Sequence, residues 1–295
     1  DVAICYISDS VDQSVLNRMR KLIQSIDVDA LTMNIESLAE CMFTHKWINP
    51  FPKFKYSERP DTATAAILDG NIVIMVDNSP AVMIIPASIF DIIEEADDFN
   101  FSPMIGSYLR ITRFFFSIVT WILTPLWLLF VNNPDWVPEF MKFVLITDDI
   151  TVPVLLQLLI LELAVDGLKL AAVNTPTMLS TPLSIVAGIV VGEYAVSSGW
   201  FNPEALLYMA VVTVGTYGQT NFEMGYAFKF LRVLTLILTQ IFNLGGFIAG
   251  VVISVLMIAF NRTITGKSYI YPLIPWDGKM LKRKVLRVRL PHSYK

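Results

Sequence analysis

Apolar residues follow two different rhythms along this chain. Through roughly the first hundred residues they come in short alternating or helix-spaced runs, separated by turn residues. From Leu109 to Phe260 they come in long blocks, broken only by brief polar hinges. The first rhythm is that of a water-soluble fold. The second, in water, would leave more apolar surface than the chain could cover; in a bilayer it would not have to be covered.

In the first part, Val2 to Ile7 reads as a strand. Ser8, Asp9 and Ser10 supply turn and N-cap chemistry, and Val11 to Ile26 follows as a helix with Val15, Met19, Leu22 and Ile23 on one face. Ile35 to Met42 is a second helix, and Trp47 to Tyr56 a Pro- and aromatic-rich connector. Arg59-Pro60-Asp61 opens a third helix with Pro at its first position, running to Leu68. Asp69-Gly70-Asn71 is a turn, Ile72 to Val76 a buried strand, Asp77 to Pro80 a hairpin turn, and Ala81 to Ile85 the returning strand. These elements predict a soluble α/β head. Asp91 to Phe101 reads as an acidic linker.

In the second part, Phe114 to Val131 is uncharged and long enough to span a bilayer, with Pro125 expected to kink it. The acidic and aromatic loop from Asn132 to Thr151 suits a surface facing away from the cytoplasm. Val152 to Ala172 is helical, with Glu162, Asp166 and Lys169 on one polar stripe. Leu183 to Ser198 and Glu204 to Thr216 are apolar, and Tyr217 to Gly225 is a polar hinge. Ala227 to Phe260 is longer than one span needs. Gly245-Gly246 near its middle predicts two short helices. Arg110, Arg113 and the basic tail from Lys279 to Lys295 place head and tail on the cytoplasmic side, so the number of crossings is even. The reading is a cytoplasmic α/β head over 1–105, a polytopic α-helical membrane domain over 106–262, and a basic cytoplasmic tail over 263–295. About four helices span, with one or two more interfacial or re-entrant.

Composition agrees. Of 295 residues, 54% are hydrophobic and 16% charged, and the mean hydropathy is +0.57; soluble domains carry about a quarter charged residues. The net charge of −4 hides an acidic cluster at Asp91 to Asp97 and a tail without acids. The two cysteines, Cys5 and Cys41, fit a reducing compartment. A chain opening at Asp1 directly in a strand predicts native sequence upstream. With two histidines far apart, and no HExxH, CxxC, Walker A or G-x-S-x-G motif, neither a metal centre nor an enzyme is expected, and no cofactor is implied. Basic residues cluster only in the tail, which suits anionic lipid or topology rather than nucleic acid.

Several residues could carry chemistry. Glu193 stands in an apolar run, either as a cation site or gate or at headgroup level near Ser197 and Ser198. The Glu162–Asp166–Lys169 stripe either lines a water-filled path or lies at a surface or interface with an internal Asp166–Lys169 pair. Lys229 and Arg232 read as snorkelling side chains. Gln240 and Asn243 call for interhelical hydrogen bonds, and Gly188-x-x-x-Gly192 and Gly246-x-x-x-Gly250 for close helix packing.

Some segments resemble a known family. Glu58-Arg59-Pro60-Asp61, the run from Ala66 to Gly70 and Asn71, and Ile74 to Pro80 with Pro86 resemble the signature of the GerA spore germination family, A-subunit type. Here Arg59, Pro60, Asp61, Gly70, Asp77, Ser79 and Pro80 are the matching positions. Tyr108 to Arg113, Val152 to Gly192 with Pro182, and Tyr271 to Trp276 fit as well. Met75-Val76-Asp77, Ser79-Pro80 and Trp276 to Lys279 resemble the family's stage V sporulation branch more than a nutrient receptor's A subunit. The resemblance implies residence in the inner membrane of the spore and oligomerisation into a channel that releases monovalent cations. It also implies a small membrane partner protein and action beside germinant receptor subunits.

Overall fold

The computed structural model describes residues 1–29, 31–43, 49–149, 151–174 and 188–288. The chain forms two compact units. One comprises Asp1–Arg113, Thr220–Met224 and Val255–Lys295, the other Phe114–Gln219 and Gly225–Ser254. Pro182, and the run from Leu183 as far as residue 187, lie outside the described residues.

The first unit is built on a four-stranded antiparallel sheet in the order β1-β3-β4-β2, with β1 at Val2–Cys5, β2 at Lys55–Ser57, β3 at Ile72–Val76 and β4 at Val82–Ile85. Strand alternation sorts its side chains onto two faces. Ile72, Ile74, Met83 and Ile85 pack with Val15, Leu16 and Met19 of α1 (Gln13–Gln24) and Leu38 and Met42 of α2 (Ile35–Met42). Val73 and Ile84 point the other way, onto Ala63 of α3 (Pro60–Leu68). The register pairs Ile74 with Met83 and with Ile4. The β3–β4 hairpin and the Pro-led α3 lie where the apolar pattern puts them, but β2 begins inside the expected connector, at Lys55, and runs one residue past its end. Gly70 has φ +86, and a Cβ there would meet the Ser10 carbonyl at 2.7 Å. Asn78, in the hairpin turn, also has positive φ (60), which asparagine tolerates better than most residues.

The acidic stretch from Asp91 is folded rather than a linker. Ser88 and Asp91 form a capping box on α4 (Ile89–Ile93). The Asp91 carboxylate also receives Lys284 of the tail helix at 2.5 Å, and Lys284 reaches Glu94 at 3.1 Å. Lys55 Nζ donates to the carbonyls of Asp91 and Glu94. Arg110 bridges Glu94 (2.6 Å) and Asp98 (3.2 Å), and Arg113 joins Asp98 at 2.7 Å. Lys284 of the tail helix is thus held by acids of its own unit. Burial pushes the Asp91 carboxyl up, but Lys284 and the Ser88 hydrogen bonds outweigh it and hold it below the usual range. Burial opposes the Lys284 ammonium too, and Asp91 with Glu94 outweigh that and raise it. A depressed acid stabilises above its unfolded pKa, about 3.9, and a raised lysine stabilises below its own, about 10.4. Amide exchange of residues 278–285 is therefore expected to be flat from about pH 5 to 9 once corrected for intrinsic rate, and to rise in acid below about pH 4. In Lys284→Ala it should be fast throughout; an unchanged profile in that variant would exclude this anchor.

The second unit holds most of α5 (Pro103–Asn132), α6 (Val154–Asn174), α7 (Pro203–Tyr217) and most of α8 (Phe222–Ala259). Trp127 and Leu128 of α5, Leu158 and Leu161 of α6, Ala205 and Met209 of α7 and Leu236 of α8 share one core. Among the described residues two helices, α5 and α8, are long and apolar enough to cross a membrane, by length and composition. The most apolar eighteen-residue stretch of α8 is only 17% buried within the chain, unlike the core helix of a soluble protein.

Straight, the 38 residues of α8 would reach about 57 Å, nearly twice a hydrocarbon core of about 30 Å. The run is not straight. Asn243 leaves the helical region (φ 52, ψ −129). A Cβ on Gly246 would meet the Leu238 carbonyl oxygen at 1.8 Å, and one on Gly250 would meet Thr235 at 2.8–2.9 Å. In a straight helix residues 238 and 246 would lie about 12 Å apart along the axis. The run therefore folds back as two antiparallel arms, 222–242 and 244–259, with Thr235, Thr239 and Ser254 fully buried. The break falls slightly before the Gly-Gly pair, because Asn243 is held by an exchanged amide pair with Asn133 (2.6 and 2.9 Å) while Gly246 is needed where the arms touch.

A paired charge cluster as the candidate functional site

The charged residues of helix α6 are Glu162, Asp166 and Lys169. Spaced four and three apart, they share a face. That face meets the first arm of α8, which brings Lys229 and Arg232. Arg232 Nε donates to Glu162 at 2.5 Å, and its other nitrogen Nη1 to the Thr120 carbonyl of α5. Lys229 bonds the Asp166 carboxylate and the Glu162 carbonyl, and stands 3.5 Å from the Glu162 carboxylate. The Glu162 and Arg232 side chains are 6% and 3% exposed. Lys169 does not pair with Asp166 but lies over the rings of Tyr217 and Tyr226, at 5.1 and 5.5 Å. Nor does Arg232 snorkel; it is locked inside.

Other polar groups collect in this unit. Gln219 donates to the Thr120 hydroxyl, and Gln157 and Asn202 bond each other (2.8 and 2.9 Å). Among the described residues Asp166 Oδ1, Thr124 Oγ1 and Gln219 Oε1 are buried atoms without a hydrogen-bond partner. No group of three or more His, Cys, Asp or Glu is placed to hold a metal among them.

Glu193 stands apart from this cluster. It lies on a π-helical turn, Gly188–Tyr194, and is exposed beside Ile189, Val190 and Tyr194. Among the described residues, a Cβ on Gly188 or Gly192 would meet nothing within 4 Å, whereas Gly246 and Gly250 are used inside the α8 hairpin. The π turn had no sequence signal. Arg232 was visible as a charge in an apolar run, but nothing local linked it to Glu162.

The signature residues belong to the head and shape its backbone. Arg59 pairs with Asp61 (2.7 Å) and Asp97, and the Asp61 carboxyl is held down at about 2 chiefly by Arg59. Pro60 starts α3, Gly70 takes the left-handed turn, and Ser79, with Asp77 and Pro80 beside it, ties the hairpin through its bond to the Ala81 carbonyl.

The family described as Bacillus/Clostridium GerA spore germination protein matches residues 1–295, the whole chain. This chain belongs to the GerA spore germination family. It is 35% identical over 291 residues to stage V sporulation protein AF of Bacillus subtilis (strain 168), covering 99% of the chain and 59% of that relative. It is 26% identical to spore germination protein KA of the same organism, over 98% of the chain and 53% of the relative. It is also 26% identical to the uncharacterized membrane protein YfkQ, over 96% and 55%. The chain thus spans somewhat more than half the length of these relatives. No solved structure matches it.

Proposed function

We propose that this chain is a subunit of an oligomeric, non-enzymatic channel that releases cations across the inner membrane of the spore. In this reading it acts beside nutrient germinant receptors, amplifying their response together with a small membrane partner protein. Its relatives bear the names of sporulation and spore germination proteins. The spans are α5, α6 and the two arms of α8, with α7 and the Gly188 segment shorter. Helix α6 qualifies despite three charges because Glu162 and Asp166 are neutralised from α8. Head and tail then share the cytoplasmic face.

The observation that carries the reading is Glu193. An acid at the bilayer centre costs about 2.5–3.5 kcal/mol on insertion scales, so one exposed among apolar residues is expected to face water between copies rather than lipid. Glu162 and Asp166, held by Arg232 and Lys229, serve the path less directly. Cation efflux from liposomes carrying the purified protein is expected to change in rate or selectivity in Glu193→Gln. Efflux indifferent to that change, with assembly lost when Gly188 and Gly192 are made Leu, would instead support a non-conducting scaffold for receptor subunits.

A further inference from the structure

The 3-10 helical segment Glu139–Val144, between α5 and α6, sorts its side chains onto three faces. With about three residues per turn, side chains three apart lie above one another. Glu139 and Lys142 share the first face, exposed and paired at 2.7 Å. Phe140 and Phe143 share the second and are each 78% exposed. Met141 and Val144 share the third and are half-buried. Val144 packs on the core around Trp127 and Leu158, and its carbonyl accepts from Trp127 Nε1 at 2.8 Å. One face is thus fixed to the second unit, while a charged face and an apolar face are turned to the surroundings.

The segment stands where helices of the second unit end. Asn133, just past α5, exchanges amide bonds with Asn243 at the break of α8. Gln157, in the first turn of α6, bonds Asn202 just ahead of α7. Further exposed rings lie on these connections: Trp136 after α5, Trp200 before α7 and Phe242 before the α8 break, 50–64% exposed. Rings spread over several helix ends are what the boundary between bilayer and water collects. The phenylalanine face is too small for a specific protein partner. Fully covered, two such side chains bury about 300–500 Å², against about 800 Å² on each side of a stable protein interface. The Glu139–Lys142 pair on the neighbouring face would not extend it as an apolar patch.

We infer that the segment Glu139–Val144 lies in the headgroup layer of the bilayer, with Phe140 and Phe143 inserted into lipid and the Glu139–Lys142 pair turned to water. The inference rests on the reading above that α5 and α8 span. Because Lys142 is paired with Glu139, the contact draws on apolar area rather than on net charge, so zwitterionic lipid serves as well as anionic lipid.

The test is nitroxide labelling of single cysteines in the full protein, with Cys5 and Cys41 replaced by serine, in phosphatidylcholine liposomes. Power saturation compares access to oxygen, which concentrates in lipid, with access to a water-soluble nickel chelate. Labels at Phe140→Cys and Phe143→Cys are expected to show an oxygen-to-nickel ratio about fivefold or more above Glu139→Cys and Lys142→Cys. Adding phosphatidylglycerol should leave that contrast unchanged. A label at Val252→Cys, 48% exposed on the second arm of α8, reports the span itself. Nickel access at 140 and 143 with oxygen access at 252 would overturn the inference and leave the spans standing. Exclusion of both reagents at 140 and 143 would mean that protein covers the face, which also overturns it. A contrast that needs anionic lipid would overturn the apolar account. Nickel access at 252 as well would bring down the span reading together with the inference.

Discussion

Gly246→Ala is expected to prevent the α8 hairpin from closing, while Gly245→Ala, one residue away, leaves the protein intact. The added methyl at 246 would stand 1.8 Å from the Leu238 carbonyl oxygen and 2.4 Å from its carbon, and at 245 it would meet nothing within 4 Å. The obstacle is backbone, which cannot turn aside as a flexible side chain can. The arms must part by more than an ångström, which would also loosen the buried Thr235, Thr239 and Ser254 and the Gly250 contact. Overpacking of a core costs about 1–3 kcal/mol where side chains can adjust, so the loss here belongs at or above that upper end. Intrinsic helix propensity argues the other way, since alanine is favoured over glycine by about 1 kcal/mol within a helix. The sign of the effect therefore separates a hairpin from a straight helix. Detergent-purified yield and thermal midpoint, measured by size exclusion after heating, should drop sharply for the first variant and hold or rise for the second. Equal behaviour of the two would mean that the arms do not meet at Gly246.

The second large effect is expected at Arg232. Replacing it by Gln leaves the Glu162 carboxylate 6% exposed without its main partner and the Thr120 carbonyl without its donor. Removing one member of a buried pair typically costs about 3–5 kcal/mol, because the charge left behind is neither solvated nor neutralised. Lys229, 3.5 Å from Glu162, remains and can take part of the load, which places Arg232→Gln at the lower end. The double change Glu162→Gln with Arg232→Gln removes both charges and is expected to recover most of the stability, as neutral replacements of buried pairs generally do. A double variant no more stable than Arg232→Gln alone would show that the pair is not what holds α6 to α8. The same two proteins compared in the liposome efflux assay separate structure from conduction. Restored stability with altered flux would put the cluster on the ion path, and restored stability with normal flux would make it a structural clamp.

The sequence alone determined what is local. Helix α2 occupies the expected Ile35–Met42, α3 begins at Pro60, and the β3–β4 hairpin turns at Asp77–Pro80, because capping, proline geometry and strand alternation act between residues a few positions apart. It also placed the long apolar blocks within residues 109–260, and the motif residues pointed to the family that the comparisons establish. Only the tertiary structure decided which charges meet. Arg232 finds Glu162 seventy residues away, and Lys284 finds Asp91 and Glu94. A stretch that reads as an acidic linker is thus folded, and it anchors the helix at 278–285 of a tail that reads as suited to lipid or topology. Composition shows that such charges need partners but not which ones, since the choice depends on helices brought together by packing. The same holds for α8. An apolar run too long for one span must be interrupted, yet the break fell at Asn243, where the Asn133 amide was waiting, and Gly246, three residues on, was claimed by the contact between the arms.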